Sequence, residues 1–288
     1  MEVLEVCNLC AESDFIFFDK DHNICRCRSC GYIFDNPRPI FDEIKRFYSL
    51  NDKYDSWLSE EKERICLWRR RLRLVKKYRQ SGSLLDVGTG IGQFLHFARN
   101  DFNVTGTEIS DIAVKIAHEK YDLAVMKGVI EELDFNTQFD VITLFHVLEH
   151  VPDPAKTIGR CRELLKNDGM LIMAVPNDTK GIRPLIVRIL RLLRVGKFRD
   201  FGKSGLPRIV LDGTLHEIHL SHFTDRVLTG YLQKNGFEIV SNTLDPFYAV
   251  KGVMKIIHDT IYVCSLIVKN VFRANIYPTM WIAAKKRS

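Results

Sequence analysis

The run Leu84-Leu85-Asp86-Val87-Gly88-Thr89-Gly90-Ile91-Gly92 constrains this chain more than any other. It reads as a buried strand that enters a glycine-rich turn and then a helix, Gln93 to Arg99. Glycines at 88 and 90 let the backbone turn tightly without a Cβ in the way. They also let a ligand lie against the main chain, near the positive end of the following helix. Open α/β sheets bind nucleotide-type ligands at such strand-to-helix turns.

Glycine spacing narrows the ligand. A dinucleotide fingerprint, G-x-G-x-x-G, would need a glycine at 93 after Gly88, and the chain has Gln93. It carries D-x-G-x-G-x-G instead, with Asp86 two residues before the first glycine. A carboxylate there repels a pyrophosphate and attracts a sulfonium and an amino group. The run resembles motif I of class I S-adenosylmethionine (SAM)-dependent methyltransferases. That resemblance implies a cofactor seat made by Asp86, Gly88, Thr89, Gly90 and Gly92.

At 288 residues the chain fits one large domain, or one domain with a small appendage. The net charge of +6 permits an acidic partner without demanding one. The N-terminus is acidic and polar before Cys7, unlike a signal peptide. No run reaches the roughly 18 uninterrupted apolar residues of a membrane span; Val253 to Phe272 comes nearest, broken by Lys255, His258, Asp259, Lys269 and Asn270. The chain reads as cytoplasmic, so its eight cysteines are expected as thiols or metal ligands.

Five of those cysteines fall between Cys7 and Cys30. Cys7-x-x-Cys10 and Cys27-x-x-Cys30, sixteen residues apart, can offer four thiolates to one tetrahedral Zn²⁺. Cys25 is the spare; it would replace Cys27 if the register slipped, but C-x-x-C-G favours Cys27. Four protein ligands leave no open position, so such a zinc is structural and staples a segment too short for its own core. This head and the following Asn36-Pro37-Arg38-Pro39 resemble the N-terminal zinc ribbon of a subset of bacterial class I methyltransferases.

Residues 41–80 read as helical, with a basic stretch from Arg64 to Arg79. From Ser83 the pattern alternates: strands over 83–88, 103–108, 123–127, 139–145 and 169–175, helices over 91–100, 111–120 and 154–166. The rhythm implies a mainly parallel sheet covered on both faces. It breaks at Asn177 for an insertion, 178–215, holding a basic amphipathic helix from Pro184 to Val195. It resumes with a helix over 224–235, a strand over 237–244, an apolar helix over 250–272 that is expected to pair with the basic one, and a strand over 279–284. The family resemblance implies an α/β fold with a Rossmann-like, seven-stranded, mostly parallel sheet and helices on both faces. The expected division is a zinc-ribbon head (1–40), a helical segment (41–80) and a methyltransferase domain (81–288) containing the insertion.

Glu108 ends the second strand, 20 residues past Gly88, where a carboxylate suits a grip on two ribose hydroxyls. NAD enzymes share this feature, so it supports a nucleoside without choosing the cofactor. By resemblance Ile109 packs on the adenine, and Gly128-Val129-Ile130-Glu131-Glu132-Leu133 is the loop that covers it, with Ile130 and Glu131 as candidates. Val129 stands where the family often has Asp. Phe139 to Pro154, with His146-Val147-Leu148-Glu149-His150 in its middle, resembles the fourth strand and exit loop of ubiquinone-biosynthesis-type methyltransferases. His146 is therefore expected beside both the cofactor and the methyl group.

Methyl transfer asks a protein for alignment, exclusion of water and, where the acceptor loses a proton, a base. His146, His150 and His219 are the expected acceptor-side groups, with His216, His222 and Glu149 nearby. His146, Glu149 and His150 would alternatively hold a divalent cation, as some quinone-type relatives are thought to do, though those relatives carry Glu where His146 stands; or Glu149 and His150 lock the turn. H-E-x-x-H is not met, because His219 falls one residue early after His216-Glu217.

The resemblance implies methyl transfer to a small-molecule, sugar, polysaccharide or lipid-linked acceptor. Arg188, Arg191 and Arg194, on an apolar helix, suit peripheral contact with an anionic membrane through 184–195, or a lid. The alternative is an RNA methyltransferase or nucleic-acid-binding module that uses the ribbon and the basic helix 64–79. Against it, aromatic residues do not interleave with the basic ones, and no Asn/Asp-Pro-Pro-Tyr motif is present. An intact glycine turn and Glu108 argue against a non-catalytic scaffold.

Overall fold

The computed structural model describes residues 1–49, 54–196, 201–211, 217–246, 248, 250 and 252–287. Parts of the insertion, 197–200 and 212–215, and the candidate His216 lie outside the described residues. The head contributes β1 (Phe15–Asp19), β2 (Ile24–Cys27) and β3 (Ile33–Asp35), and the helical segment α1 (Phe41–Tyr48), α2 (Asp55–Ser59) and α3 (Glu61–Val75). Alternation follows: β4 (Gly82–Val87), α4 (Gln93–Ala98), β5 (Phe102–Glu108), α5 (Asp111–Tyr121), β6 (Val125–Lys127), β7 (Phe139–Phe145), α6 (Pro154–Leu164) and β8 (Leu165–Pro176). The remainder is α7 (Ile182–Leu192), β9 (Ser221–His222), α8 (Asp225–Lys234), β10 (Phe237–Leu244), α9 (Gly252–Phe272) and β11 (Thr279–Lys286).

Seven strands form one sheet in the order β10-β11-β8-β7-β4-β5-β6. The pairs from β8 to β6 are parallel, and β11 enters antiparallel to both β8 and β10. Leu84 and Leu85 are fully buried on opposite faces. Leu85 packs with Ile142, Leu171 and Ile282, while Leu84 packs with Val141, Ile172 and Trp281. Burial on both faces is why β4 and β7 read as unbroken apolar runs. From β4 the chain winds outward to β5 and β6, then returns to β7 on the other side of β4. That reversal leaves a crevice at the carboxyl ends of β4 and β7.

Local signals set several boundaries. The Ser110 hydroxyl accepts from Ala113 N–H to cap α5, and the Asp153 carboxylate accepts from Lys156 N–H at 3.0 Å to cap α6, whose first residue is Pro154. Thr224, not Ser221, caps α8. The fifth strand starts at Leu165 instead of 169. Leu165 pairs with Phe139, and regular pairing resumes only at Val141–Met170, so Lys166 to Gly169 bulge out.

The head is not self-contained. Its antiparallel sheet, β1-β2-β3, is completed by β9, which arrives from beyond the insertion and pairs Ile33 with His222 and Phe34 with Ser221. Tyr32 is fully buried between Phe34 and Phe223, with ring centroids at 5.4 and 5.2 Å, and its hydroxyl bonds to that of Ser221. The core of the head is continuous with one face of the large sheet.

The helical segment is fastened to the carboxyl-end edge of the sheet by a buried ion pair. Arg71 Nη2 donates to Asp245 Oδ2 at 2.5 Å, with both residues essentially inaccessible. The guanidinium also lies 4.8 Å over the Phe145 ring and 5.1 Å over Trp68. Truncating one partner leaves the other charge buried and unmatched. Arg71→Met is therefore expected to cost about 3–5 kcal/mol in urea unfolding, whereas Lys76→Met, which breaks the half-exposed pair with Asp101, is expected to cost less than about 1 kcal/mol.

Candidate active site

The crevice is edged by carboxylates. Asp86, Glu108, Glu149, Asp178 and Asp245 all lie at or just beyond the carboxyl ends of β4, β5, β7, β8 and β10, and all are buried. A buried carboxylate must find donors or cations, and each of the five finds a different set.

On the cofactor side the glycine turn is left-handed, with φ of +63° at Gly88 and +56° at Gly90. A Cβ on Gly88 would come within 2.6 Å of Val147 Cγ2, and one on Gly90 within 2.6 Å of Trp57 Cζ3. Gly92 forms the N-cap of α4. Trp57 on α2 therefore roofs the turn, with Tyr54 edge-on to it at 5.4 Å and the Arg64 guanidinium 4.3 Å over its ring. Glu108 binds the turn to the end of β5. Its Oε2 accepts from Gly90 N–H at 2.9 Å, and its Oε1 accepts from Ile109 and Ser110 N–H at 2.8 and 3.0 Å. Burial raises its pKa, and these three bonds oppose the rise.

Asp86 accepts from the Thr143 hydroxyl at 2.6 Å, and burial pushes its carboxyl up to about 7. Thr89 N–H donates to the Thr107 carbonyl at 2.9 Å, which holds the turn against β5. Ile109 is half-buried beside Glu108. Ile130 sits in the core beneath the sheet, and Glu131 accepts from the Thr157 hydroxyl on α6. The structure thus brings Asp86, Gly88, Thr89, Gly90, Gly92, Glu108 and Ile109 to the turn and the adjoining end of β5, buries Ile130 in the core, and leaves Glu131 exposed, bonded to Thr157 on α6.

Across the crevice, His146 leaves β7 with φ of +60°, a costly conformation for a residue with a Cβ. The strain aims its ring between two carboxylates: Nδ1 is 3.4 Å from Glu149 and Nε2 is 3.8 Å from Asp245. Burial lowers its pKa, but the two carboxylates outweigh burial and raise it. Asp245, beside Arg71 and His146, is held down at about 2 despite its burial.

Glu149 is 1% exposed and faces imidazoles, with His150 Nε2 at 3.7 Å. Burial alone would raise its carboxyl; His150 and His146 bring it below the usual range. His150 Nδ1 lies 2.6 Å from the Ile218 carbonyl, which can only accept, so Nδ1 carries the hydrogen and Nε2 the lone pair. Tyr48 places its hydroxyl 2.9 Å from the same nitrogen. Burial depresses the His150 pKa below the ordinary 6.5.

His219 is the opposite case. Its ring lies 4.9 Å from that of His150, Nδ1 is 2.7 Å from Asp178 Oδ2, and Nε2 is 3.6 Å from Glu217. Burial opposes the charge, but Asp178 dominates and lifts the His219 pKa well above 6.5. His222 continues the chain: Nδ1 is 3.6 Å from Asp178, and Nε2 is 2.8 Å from Asp35 on β3 of the head. The expected trio changes membership here. The ligand-type atoms that converge within 4.8 Å form two trios that share His219, Glu149–His150–His219 and Asp178–His219–His222, and His146 is in neither.

The four predicted head cysteines also converge, with Sγ atoms of Cys7, Cys10, Cys27 and Cys30 all within 4.8 Å of one another. Cys7–Cys30 is 3.8 Å and Cys10–Cys27 is 3.6 Å. A tetrahedron with Zn–S bonds of about 2.3 Å has edges of about 3.8 Å, so the four thiols fit a zinc ion. Cys25 points elsewhere, toward the Asn36 carbonyl.

Sequence reasoning missed Trp57, Tyr48, Asp178, Asp245 and Asp35. Asp178 and Asp245 follow strands as Glu108 ends one, which is a usable signal. Trp57, Tyr48 and Asp35 carry none, since only folding brings them near.

A family profile described as "Methyltransferase domain" matches residues 57–242, well over half of the chain. A ubiquinone biosynthesis O-methyltransferase of Actinobacillus pleuropneumoniae serotype 7 is 38% identical over 145 residues, covering 45% of this chain and 62% of that protein. The protein of the same name from Alkalilimnicola ehrlichii is 34% identical over 102 residues, covering 33% and 41%. The match therefore spans less than two thirds of these relatives. Among solved structures, a SAM-dependent methyltransferase of Thermotoga maritima, described as a possible histamine N-methyltransferase, aligns over 86% of this chain and all of its own, at 17% identity and a TM-score of 0.52. The plantazolicin methyltransferase BpumL, in complex with S-adenosylhomocysteine, aligns over 85% and 94%, at 13% identity and a TM-score of 0.52. These likenesses show the fold alone, and the family match joins it to the glycine turn and strand-end Glu108: the chain belongs to the methyltransferase-domain family, as a class I SAM-dependent methyltransferase.

Proposed function

We propose that the chain transfers a methyl group from SAM to a small-molecule acceptor, of the sugar, polysaccharide or lipid-linked kind. One observation carries the reading: Glu108 clasps the glycine turn at the end of β5, and a cluster of imidazoles leaves β7, on the other side of β4 along the same sheet edge. Gly88, Thr89, Gly90 and Gly92 seat the cofactor on main chain, with Asp86 behind them. Glu108 addresses the ribose hydroxyls and Ile109 the adenine side, while Ile130, buried in the core, and Glu131, bonded to Thr157, anchor the covering loop. SAM, when bound, supplies an electrophilic methyl group on a sulfonium. His146 borders that position from the exit of β7.

The chain's own residues divide the proton work. His150 is neutral at pH 7, with its hydrogen fixed on Nδ1 and its Nε2 ready to take a proton from the acceptor. Glu149 stabilises the imidazolium that forms, as a buried carboxylate does for any adjacent base. His219, kept charged by Asp178, acts as a cation and donor toward the acceptor instead of as a base. α7 over 184–195 gives the lipid-linked version a physical basis, because its Arg and apolar side chains suit an anionic membrane surface.

Cys7, Cys10, Cys27 and Cys30 are proposed to hold a structural Zn²⁺. Because β3 pairs with β9, that ion also steadies the strand carrying His222. The RNA reading loses part of its basic face, with Arg69, Arg73 and Lys77 left exposed. Arg64 donates to Gln93 at 2.8 Å, Arg70 to the Pro246 carbonyl at 2.9 Å, and Arg71 is buried on Asp245.

Calorimetry with S-adenosylhomocysteine is expected to show binding, with none for NAD. Glu108→Ala and Gly90→Ala should each weaken it by at least ~10-fold, or about 1.4 kcal/mol; unchanged affinity in both would place the cofactor elsewhere. A labelled-SAM screen of nucleotide sugars, quinone precursors and lipid-linked glycans tests the acceptor class. With the acceptor so found, kcat/KM should rise as pH climbs through a value below 6.5 and then level off, because His150 must lose its proton to act. His150→Gln should lower kcat by roughly 10²–10⁴-fold; a loss of activity on EDTA treatment, restored by a divalent cation, would favour a metal at Glu149, His150 and His219 instead. Metal analysis should find about one zinc per chain, and Cys27→Ser should release it and lower the melting temperature.

A further inference from the structure

α9 packs with its polar side inward. Tyr248 bonds to Asp259 and lies 4.9 Å from the His258 ring. Tyr262 meets Tyr277 at 5.6 Å, Ser265 is the buried residue of the helix, and Lys269 donates to Asn242 at 2.7 Å. The apolar side faces out. Val253, Ile256, Ile257, Ile261, Ile267 and Val271 are all exposed, from 44% to 72%. At about 100° per residue they occupy one arc of roughly 140°. A helix of a soluble domain buries that stripe, so this face is built for something that covers it. The expected pairing of α9 with α7 does not cover it, because α7 also exposes Leu185, Ile189 and Leu192.

The two helices share a root. Asn177 Nδ2 donates to the carbonyls of Asn275 and Tyr277 at 3.1 Å each, and a Cβ on Gly181 would come within 2.6 Å of the Ile276 carbonyl. The start of α7 thus lies against the exit of α9. Each helix also begins a few residues after a site carboxylate: α7 after Asp178, α9 after Asp245.

Charge selects the occupant. Residues 180–211 contain nine Lys and Arg and one Asp, an excess of eight, in a chain whose total is +6. The positive excess of the whole protein therefore resides in the segment built around α7. A second copy seated face to face would bring two such segments together and be repelled, whereas a bilayer offers both an apolar interior and anionic headgroups. No helix among the described residues is long and apolar enough to cross a membrane, which leaves α9, about 32 Å long, lying in the interface.

We propose that α9, flanked by the basic helix α7, is the docking face for an anionic lipid bilayer, and that docking sets the acceptor side of the crevice against the headgroup layer. The surface is argued from the two helices; its link to a lipid-linked acceptor rests on the methyl-transfer reading above.

Vesicle co-sedimentation of the full chain tests it, with phosphatidylcholine alone and with one quarter phosphatidylglycerol. Wild type is expected to bind the anionic vesicles at least ~10-fold more tightly than the neutral ones, and Ile256→Asp/Ile267→Asp to lose at least ~10-fold of that binding. Both positions are exposed and belong to none of the residues placed at the cofactor turn, so S-adenosylhomocysteine affinity should stay unchanged; its absence in wild type would sink the methyl-transfer reading without touching the docking face. Failure of wild type to bind, binding that the double variant retains, or equal binding to neutral vesicles would overturn the proposal. So would a dimer in vesicle-free solution that the double variant dissociates, since that assigns the face to a second copy.

Discussion

Desolvation of carboxylates along one edge of the sheet is the constraint from which the rest follows. Five of them are taken out of water there, and each would be intolerable alone. Asp86 is answered by a hydroxyl and Glu108 by three backbone N–H groups. Glu149 and Asp178 are answered by histidines, and Asp245 by Arg71. The nature of each answer decides what its neighbourhood can do. Backbone donors make a rigid turn and satisfy the carboxylate without a neutralising cation, which suits a seat for a cationic ligand. Imidazoles make a titratable cluster, which suits proton transfer.

The same edge explains why peripheral elements are drawn into the site. Arg71 comes from α3 and ends on Asp245 after β10, so the helical segment is held over the crevice, and Trp57 reaches the glycine turn. Asp35 comes from the cysteine-rich head, ends on His222, and through it approaches Asp178. An N-terminal sheet that borrows its last strand from residues 221–222 cannot be disturbed without disturbing the histidines on that strand. The head thereby becomes part of the side of the molecule that carries the histidine cluster.

Much of this was legible beforehand. Asp86 to Gly92, Glu108 and the His146–His150 run each sit where strand ends were expected, because a strand buried on both faces leaves an unmistakable apolar run. Cys7, Cys10, Cys27 and Cys30 could be chosen over Cys25 by spacing alone, and their sulfurs converge. Other expectations failed for identifiable reasons. Arg64 to Arg79 reads as a basic helix that a nucleic acid could use, yet Arg71 is buried and Arg64 stacks on Trp57, since a guanidinium can serve a carboxylate or an aromatic ring as readily as a phosphate. The 250–272 run reads as a helix to be covered, and the side it packs inward carries Tyr262, Ser265 and Lys269. His219 reads as a base, and Asp178, 2.7 Å from its Nδ1, raises its pKa well above the ordinary imidazole value.

Periodicity and glycine placement are local properties, so the sequence by itself determined the strand order's raw material, the cofactor turn and the cysteine knuckles. Only tertiary structure decided which carboxylate meets which cation, because those pairs join residues 41 to 187 positions apart: Asp178 with His219, Arg71 with Asp245, Asp35 with His222. Charge state at a buried position is set by its neighbours in space, and no pattern along the chain records them.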